Sequence, residues 1–218
     1  SKAVNIEISP NDIEGLVSFS KKENIGLVIV GPEDPLVNGI TNAFMKAGIN
    51  CFGPQSLGAQ LEGSKDFAKS FMKKYKIPTA KSKSFNNTQL KEAIAFLEEK
   101  QGPYVLKADG LAAGKGVVIE NDLSKAKKAV KNLLAGQFGK SSETIVIEDF
   151  LEGVEVSVFV ITDGVNYKIL PEAKDYKRIG EGDNGLNTGG MGAVSPVPFA
   201  NREFIDKVEN QIIIPTIK

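Results

Sequence analysis

Residues 104–120 constrain the fold of this chain more than any other part of the sequence. Two short apolar runs, residues 104–106 and 117–119, are typical of strands, and they flank a loop with three glycines and two nearby lysines. These glycines and lysines are Lys107, Gly110, Gly114, Lys115 and Gly116. The pattern predicts a β-hairpin with a glycine-rich tip. Because glycine lacks a Cβ atom, backbone N–H groups in such a tip can approach an anion closely, so we expect the loop to cover a polyphosphate.

The loop differs from a Walker A loop, which has a first glycine, four further residues and then Gly-Lys-Ser/Thr at a strand-to-helix turn. Here Asp109 stands at the first-glycine position and Gly116 at the hydroxyl position. The residues after Gly116 predict a second strand rather than a helix. A P-loop nucleoside triphosphatase is therefore excluded. From this stretch alone, the alternative is that the three glycines only turn a hairpin.

Composition narrows the function. Lysine plus arginine and aspartate plus glutamate each number 27, so no net field attracts the chain to nucleic acid or to an anionic membrane. The absence of histidine excludes Ser-His-Asp and Cys-His catalysis, and any metal is expected to be a hard cation such as Mg²⁺ held by oxygens. The single cysteine, Cys51, predicts a buried thiol in a reduced, cytoplasmic compartment.

The length of the chain and its longest apolar runs limit the possible architectures. A chain of 218 residues can bury a core in one or two domains. Its longest apolar runs, such as residues 27–30 and 158–161, are too short to span a bilayer, so we expect a soluble protein. The chain starts at Ser1 and ends at Lys218 within a helical pattern, so we also expect a fragment of a longer protein.

The first part of the chain predicts the later part of a doubly wound α/β domain. Residues 25–30 predict a buried parallel strand, and Gly31-Pro32-Glu33 follows at its carboxyl end, where ligands of open α/β sheets bind. A helix is expected over residues 35–47, stopped by Gly48, and a strand over residues 49–52.

The middle of the chain alternates helices and strands. We expect a helix capped by Ser64 over residues 64–75, further helices over 88–100 and 124–134, and strands over 81–85 and 143–151. Lys65 begins the first of these helices, and by itself it is interpreted as one of several solvated lysines.

Two polar features follow. Residues 154–161 and 167–170 predict antiparallel strands, in which Glu155 lies on a sheet face and needs hydrogen bonds, for instance from a ribose; the alternative is an edge carboxylate in solvent. Residues 175–193 predict a long glycine-rich loop, in which Lys177 and Arg178 clamp a phosphate or a carboxylate or, alternatively, form a solvated patch.

Taken in order, these pieces resemble the ATP-grasp superfamily and, within it, the phosphoribosylamine–glycine ligase (glycinamide ribonucleotide synthetase) family. The resemblance rests on short phrases that occur in the family's order. They are Val30-Gly31-Pro32-Glu33 with Pro35-Leu36, Cys51-Phe52-Gly53-Pro54, Gln60-Leu61-Glu62-Gly63-Ser64-Lys65, Ile77-Pro78-Thr79-Ala80, Lys107-Ala108-Asp109-Gly110-Leu111-Ala112-Ala113-Gly114-Lys115-Gly116-Val117, Glu148-Asp149-Phe150-Leu151-Glu152-Gly153, and Asn187-Thr188-Gly189-Gly190-Met191-Gly192-Ala193.

The resemblance implies a fold of mixed α/β and α+β class, truncated at both ends. Residues 1–62 would be the remainder of an N-terminal Rossmann-like, pre-ATP-grasp domain, and residues 63–80 a connecting helix. Residues 81–150 would form the small ATP-grasp subdomain with the glycine-rich hairpin, and residues 151–218 the start of the central ATP-grasp subdomain.

The resemblance also implies residue roles. The ATP-binding residues would be Lys65, Lys107, Gly110, Gly114, Lys115, Gly116, Val117, Glu148, Asp149, Phe150, Leu151 and Glu155. The substrate-binding residues would be Pro32, Glu33, Asp175, Lys177, Arg178, Asn187, Thr188, Gly189, Gly190 and Met191. Lys107 and Arg178 would be catalytic, residues 148–151 would be the hinge that contacts adenine, and Glu155 would bind the ribose hydroxyls. One departure is Tyr176, where the family often has histidine.

The implied reaction joins glycine to 5-phosphoribosylamine through glycyl phosphate, in de novo purine biosynthesis. It would need ATP and Mg²⁺ or Mn²⁺, with the metal ligands downstream of Lys218 and none within this stretch. The chain alone is therefore expected to have little or no ligase activity. A monomer is favoured, without nucleic-acid or membrane partners. The alternatives are another ATP-grasp carboxylate–amine ligase and a non-catalytic nucleotide-binding fragment.

Overall fold

The computed structural model describes residues 3–112, 114–182 and 184–218, so Ala113 of the predicted glycine-rich loop lies outside the described residues. The chain divides into two compact units. The first comprises Ser1–Phe71 and Ala80–Phe150, and the second comprises Met72–Thr79 and Leu151–Lys218. Across these described ranges, no helix has both the length and the apolar character needed to cross a membrane.

The first unit begins with a helix and a small parallel sheet. Helix α1 spans Ile13–Lys22 and is capped by Asp12, whose Oδ1 accepts from the Gly15 N–H at 2.9 Å. Strand β1 (Val28–Ile29) pairs in parallel with β2 (Cys51–Phe52), which confirms the predicted parallel pairing. The prediction that this first strand is buried is wrong, because Ile29 is 70% exposed. Within the described residues β1 pairs with β2 alone, and so small a sheet leaves its apolar side chains uncovered.

The single helix predicted over residues 35–47 is also wrong, because two helices occupy this region. They are α2 (Glu33–Val37) and α3 (Ile40–Lys46). Gly39 separates them with a φ of 87°, a left-handed conformation that interrupts the helical hydrogen-bond series. Cys51, expected to be buried, is half-buried, and its Sγ–H donates to Thr41 Oγ1 at 3.7 Å.

Two consecutive helices then lead to the main sheet. Helix α4 spans Ser56–Gly63, where the sequence pattern predicted no helix, and α5 spans Lys65–Lys74. Ser64 lies between them, and its Oγ accepts from the Phe67 N–H at 3.1 Å, which confirms the predicted cap.

A four-stranded antiparallel sheet forms the main core of the first unit. Its strands are β3 (Ser82–Asn86), β4 (Tyr104–Ala108), β5 (Val117–Glu120) and β6 (Thr144–Asp149), in the order β3-β6-β4-β5. The predicted glycine-rich hairpin is confirmed as β4–β5. Helices α6 (Leu90–Glu98) and α7 (Leu123–Leu134) follow the predicted pattern, and Asp122 caps α7 by accepting from the Lys125 N–H at 2.8 Å.

The two faces of this sheet differ in character because neighbouring strand residues point in opposite directions. Leu106, Ile145 and Ile147 pack with residues of α6 and α7 in one buried apolar cluster. Lys107 and Glu148, which alternate with these residues along β4 and β6, therefore lie on the opposite face. That face carries the candidate site.

The second unit contains two antiparallel strand pairs. Strands β7 (Val160–Thr162) and β8 (Tyr167–Ile169) confirm the predicted pairing. The strand predicted over residues 154–161 is wrong in its length, because only the last two of these residues lie in a strand. Ser157 makes an isolated β-bridge to Ala173. In the connecting turn, hydrogen bonds from the Asn166 side chain and from backbone N–H groups lower the pKa of Asp163 to about 2.

The long loop predicted over residues 175–193 is instead a hairpin of β9 (Lys174–Gly180) and β10 (Asn184–Val194). Register shifts interrupt the pairing, and the glycine-rich strand lacks the apolar alternation from which a strand is predicted. The unit ends with α8 (Arg202–Val208), a π-helical turn over Glu209–Ile213, and α9 (Ile214–Ile217). Tyr167 donates to Glu209 Oε1 at 2.6 Å, which raises the pKa of the tyrosine.

Candidate functional site

Lys107 and Glu148 form an ion pair on the sheet face that α6 and α7 leave free. The register pairs Lys107 with Val146, two residues before Glu148 on the neighbouring strand, so both charged side chains project from the same face. The Lys107 Nζ lies 3.0 Å from Glu148 Oε2. Glu148 is only 6% exposed, so this carboxylate needs partners to offset its lost hydration.

Lys69, from helix α5, supplies the second partner of this carboxylate. Its Nζ lies 3.3 Å from Glu148 Oε1. The same ammonium group donates to the Ala80 carbonyl at 3.1 Å. Glu148 is thus held between two lysines that come from different elements, and the three charges sum to one net positive charge at this point of the sheet.

Lys65 connects the start of α5 to the base of the glycine-rich loop. Its Nζ donates to the carbonyl oxygens of Asp109 at 3.3 Å and Gly110 at 3.2 Å. Burial lowers the pKa of Lys65 below its ordinary value of 10.5, and the nearby negative charge of Asp109 opposes that shift. The positive charge of Lys107 also lowers the pKa of Lys65, to a smaller extent than burial does.

Asp109 fixes the same junction from the other side. Its Oδ1 accepts from the Asp66 N–H at 2.7 Å, and both carboxylate oxygens lie 3.0 Å from Ser64 Oγ. An acidic side chain from the loop therefore caps the N-terminus of α5, where the free N–H groups and the helix dipole favour a negative charge.

The glycines of the loop are required by its geometry. A Cβ at Gly110 would lie 2.8 Å from Ser141 Oγ, and a Cβ at Gly116 would lie 2.8 Å from the Cβ of Ala112. Gly114 has a φ of 75°, which favours glycine. Ser141 holds the loop base, since its carbonyl accepts from the Gly110 N–H at 2.9 Å and its Oγ donates to the Leu111 carbonyl at 2.8 Å. Lys115 is exposed, and Val117 is 44% exposed.

The predicted hinge begins where β6 ends. Asp149 forms an ion pair with Lys100, and its backbone N–H donates to the Lys81 carbonyl at 2.9 Å. Phe150, 41% exposed, presents much of its side chain to solvent, and Leu151 is also exposed. An exposed apolar pair just after the end of β6 suits contact with a flat, apolar ligand group.

The second unit has its own charged cluster. Lys177 Nζ lies 3.0 Å from Glu155 Oε1 and 3.3 Å from Asp175 Oδ2. The hydrogen bond to Glu155 is the main cause that raises the pKa of Lys177 above 10.5. Glu155 lies outside the strands and is solvent-exposed, so its predicted place on a sheet face is wrong. Arg178, Gly189, Gly190 and Met191 are exposed, and Thr188 Oγ1 donates to the Lys177 carbonyl at 2.8 Å.

Pro32 and Glu33 lie at the start of α2, beside a cavity of about 260 Å³ in the first unit. Leu36, Val37 and Leu61 form much of its apolar lining, and Glu33 and Glu62 add two carboxylates. These two predicted substrate-binding residues therefore lie next to a cavity of the first unit.

Among the residues that the structure describes, no group of three or more aspartate, glutamate or cysteine side chains is placed to hold a metal ion.

Sequence reasoning missed Lys69 and Asp109 as parts of the site. Lys69 follows Lys65 by four residues, so the two share a helix face, and this spacing was the available signal. The pairing of Lys69 with Glu148 depends on how α5 packs against β6, which the local pattern does not contain.

The fold of this chain matches solved structures of ATP-grasp enzymes. A D-alanine–D-alanine ligase from Bacillus anthracis superposes with a TM-score of 0.68 at 16% identity, covering 95% of this chain and 65% of that one. The phosphoribosylamine–glycine ligase from Thermotoga maritima superposes with a TM-score of 0.70 at 41% identity, covering 77% of this chain and 42% of that one. The glycine-rich hairpin on its four-stranded sheet lies within residues 63–218, which match the model of an ATP-grasp domain, so the chain is an ATP-grasp protein.

Sequence relationships narrow the class to one family. The profile of the phosphoribosylglycinamide synthetase ATP-grasp (A) domain matches residues 63–218, and that of the N domain matches residues 1–62. The phosphoribosylamine–glycine ligase of Pasteurella multocida is 49% identical over 217 residues, which is 99% of this chain and 50% of that protein. The chain belongs to the phosphoribosylglycinamide synthetase family, and it spans about half the length of this curated relative.

Proposed function

We propose that the whole protein is an ATP-dependent ligase that joins glycine to 5-phosphoribosylamine, giving glycinamide ribonucleotide, ADP and phosphate. Family membership supports this reaction. The structural observation that supports it best is the convergence of Lys65 and Lys107, from separate elements, at the base of one glycine-rich hairpin. Two ammonium groups, beside backbone N–H groups that can approach an anion closely, suit the binding of a polyphosphate.

The proposed chemistry needs no protein nucleophile. The carboxylate oxygen of glycine attacks the γ-phosphorus of ATP, the bond to the β–γ bridging oxygen breaks, and ADP leaves with that electron pair. The amine of phosphoribosylamine then attacks the acyl carbon of glycyl phosphate, phosphate leaves, and the amine loses a proton as the amide forms. Phosphoryl transfer of this kind depends on positioning and on charge stabilisation, so lysines can promote it without forming a covalent intermediate.

In this proposal the charged groups of the first unit bind the nucleotide. Lys65 and Lys107 hold the phosphates, with Lys107 the catalytic lysine, and the loop of Gly110, Gly114, Lys115, Gly116 and Val117 covers them. Residues 148–151 contact the adenine. The exposed apolar side chains of Phe150 and Leu151 support that assignment.

Groups of the second unit would bind the ribose and the acceptor. Glu155 accepts hydrogen bonds from the ribose hydroxyls, and the hydrogen bond that it accepts from Lys177 Nζ holds its carboxylate in place. Asp175, Lys177 and Arg178 would contact the acceptor together with the β10 residues Asn187, Thr188, Gly189, Gly190 and Met191, and Arg178 would stabilise developing charge. Pro32 and Glu33 would contribute from the cavity beside α2.

A divalent cation, Mg²⁺ or Mn²⁺, would neutralise phosphate charge during the transfer. The chain spans about half of its curated relative, and we propose that the ligands of this cation lie in a part of the whole protein downstream of Lys218. We further propose a cytoplasmic monomer.

Substrate-dependent release of ADP by the whole protein tests the reaction. We expect release to require both glycine and phosphoribosylamine, and D-alanine or glutamate in place of glycine to give at most background release. Release with another acid instead would indicate a different ATP-grasp carboxylate–amine ligase. ATP binding without release under any combination would indicate a non-catalytic nucleotide-binding protein.

A further inference from the structure

Lys69 occupies an unusual position for a lysine on an amphipathic helix. Its side chain is 13% exposed, whereas Lys73 and Lys74 at the end of the same helix are exposed. Removing an ammonium group from water is unfavourable unless other charges or acceptors replace its hydration. Lys69 obtains these from Glu148 Oε1 at 3.3 Å and from the Ala80 carbonyl at 3.1 Å.

The Glu148 carboxylate is shared symmetrically between its two lysines. Lys107 binds Oε2 and Lys69 binds Oε1, and within the described part of the chain these are its ion pairs. The Glu148 side chain is 7% exposed, so water can replace a lost lysine only poorly. Either lysine can therefore leave the carboxylate only if the other remains.

The proposed function requires Lys107 to divide its positive charge between Glu148 and a phosphate group. Lys107 Nζ lies 3.0 Å from Glu148 Oε2, and a lysine that donates to a phosphate gives up part of its interaction with other acceptors. Lys69 is held in addition by a backbone carbonyl of the same unit, since its Nζ donates to the Ala80 carbonyl at 3.1 Å. The charge of Glu148 is then still compensated after Lys107 turns to a phosphate.

We propose that Lys69 is a positioning residue for nucleotide binding. It stays paired with Glu148 as a permanent counter-ion, so that Lys107 can shift from this carboxylate to a phosphate group of a nucleoside triphosphate. Without Lys69, the same shift would leave a buried carboxylate without a cation and would weaken nucleotide binding. This inference rests on the proposed function, since it assumes that Lys107 binds phosphate.

A purely structural alternative is that Lys69 only fastens α5 to the chain before β3 through the Ala80 carbonyl. The two roles differ in their dependence on Glu148. A counter-ion is needed only while Glu148 is charged, whereas a fastening contact to Ala80 is needed whatever residue stands at position 148.

Calorimetric titration of the whole protein with ATP separates these roles. We expect Lys69→Met to weaken ATP binding by at least about tenfold, because it leaves the buried Glu148 charge dependent on Lys107. Lys69→Gln keeps a donor for the Ala80 carbonyl but no charge, and we expect the same loss. Lys69→Arg restores the cation and should bind within about threefold of wild type. The matched control, Lys73→Met at an exposed position of the same helix, should not change ATP affinity.

The decisive comparison uses Glu148→Gln as the background. We expect Lys69→Met to change ATP affinity by less than about twofold when Glu148 is already neutral, because contacting residues that act together are not additive. An equal loss in both backgrounds, or wild-type affinity in Lys69→Met and Lys69→Gln, would overturn the counter-ion role. If the wild-type protein itself fails to bind ATP, the proposed function fails first and this inference falls with it.

Discussion

The two lysines predicted to bind phosphate already donate to acceptors of the protein itself. Lys65 donates to two loop carbonyl oxygens, and Lys107 donates to the buried Glu148 carboxylate. Each ammonium group has three N–H donors, so a nucleotide would share both lysines with these protein acceptors. Both side chains are held near the loop before the ligand arrives, which limits the side-chain entropy lost on binding.

Lys107→Ala should weaken ATP binding by at least about tenfold, or about 1.4 kcal/mol. The Coulomb energy between a lysine and a phosphoryl oxygen about 4 Å away is roughly 4 kcal/mol at an effective dielectric constant of about 20. In the variant, water that hydrates the phosphate recovers part of this energy. Calorimetric titration measures the effect. Lys73→Ala, at an exposed position, is the control, and equal affinities for the two variants would show that Lys107 does not contact phosphate.

The pKa of Lys65 predicts an alkaline limit to ATP affinity. Because the pKa lies below 10.5, the positive charge that attracts phosphate is complete at low pH and is lost as the pH rises through this lowered pKa, earlier than for an ordinary lysine. We expect ATP affinity to decline on the alkaline side accordingly. Lys65→Arg keeps its charge at all these pH values and should move the decline to higher pH, whereas Lys73→Arg should leave it in place.

Titration of affinity against pH in the three proteins measures this limit. An identical alkaline decline in wild type and Lys65→Arg would assign the titrating group to another residue.

At the scale of elements, the structure joins helix α5 to the glycine-rich hairpin through one acidic residue. Asp109 accepts hydrogen bonds from Ser64 and Asp66 at the helix start, and its backbone carbonyl accepts from Lys65. The loop base and the helix N-terminus therefore cannot move independently without losing these bonds. This link places Lys65 and Lys107, which are distant in sequence, beside the same loop.

Asp109→Ala should both destabilise the protein and weaken ATP binding. Loss of a helix-capping side chain costs about 0.5–2 kcal/mol, and the loop base loses its link to Lys65 at the same time. Asp122→Ala removes the comparable cap of α7 and is expected to lower the free energy of unfolding by a similar amount without changing ATP affinity. Urea unfolding and calorimetric titration measure the two quantities. If both variants bind ATP like wild type, the link has no role in the site.

At the scale of the whole molecule, the chain contains the predicted nucleotide-binding groups, and its described residues include no group of three or more aspartate, glutamate or cysteine side chains placed to hold a metal ion. We expect the 218-residue chain to bind ATP and to show little or no turnover with glycine and phosphoribosylamine. Because the chain spans about half the length of its curated relative, its turnover is compared with that of the whole protein. Calorimetry and an ADP-release assay on both proteins test this expectation, and full turnover by the chain alone would contradict it.

The sequence by itself determined the local parts of this molecule. The β4–β5 hairpin was predictable because its glycines and apolar runs are close together, and the Ser64 cap was predictable because it involves a residue three positions away. The β9–β10 hairpin was missed because its glycine-rich strand has little apolar alternation, and the break at Gly39 was missed because a glycine inside a helical pattern does not by itself reveal its φ.

Only the tertiary structure decided which charges meet. Lys69, Lys107 and Glu148 lie on three different elements, and their arrangement depends on the packing of α5 and on the register between β4 and β6. The local pattern does not distinguish Lys69 from the other lysines of its helix. The physical reason is that a buried ion pair forms between groups far apart in sequence, when the surrounding apolar contacts bring them together and exclude water.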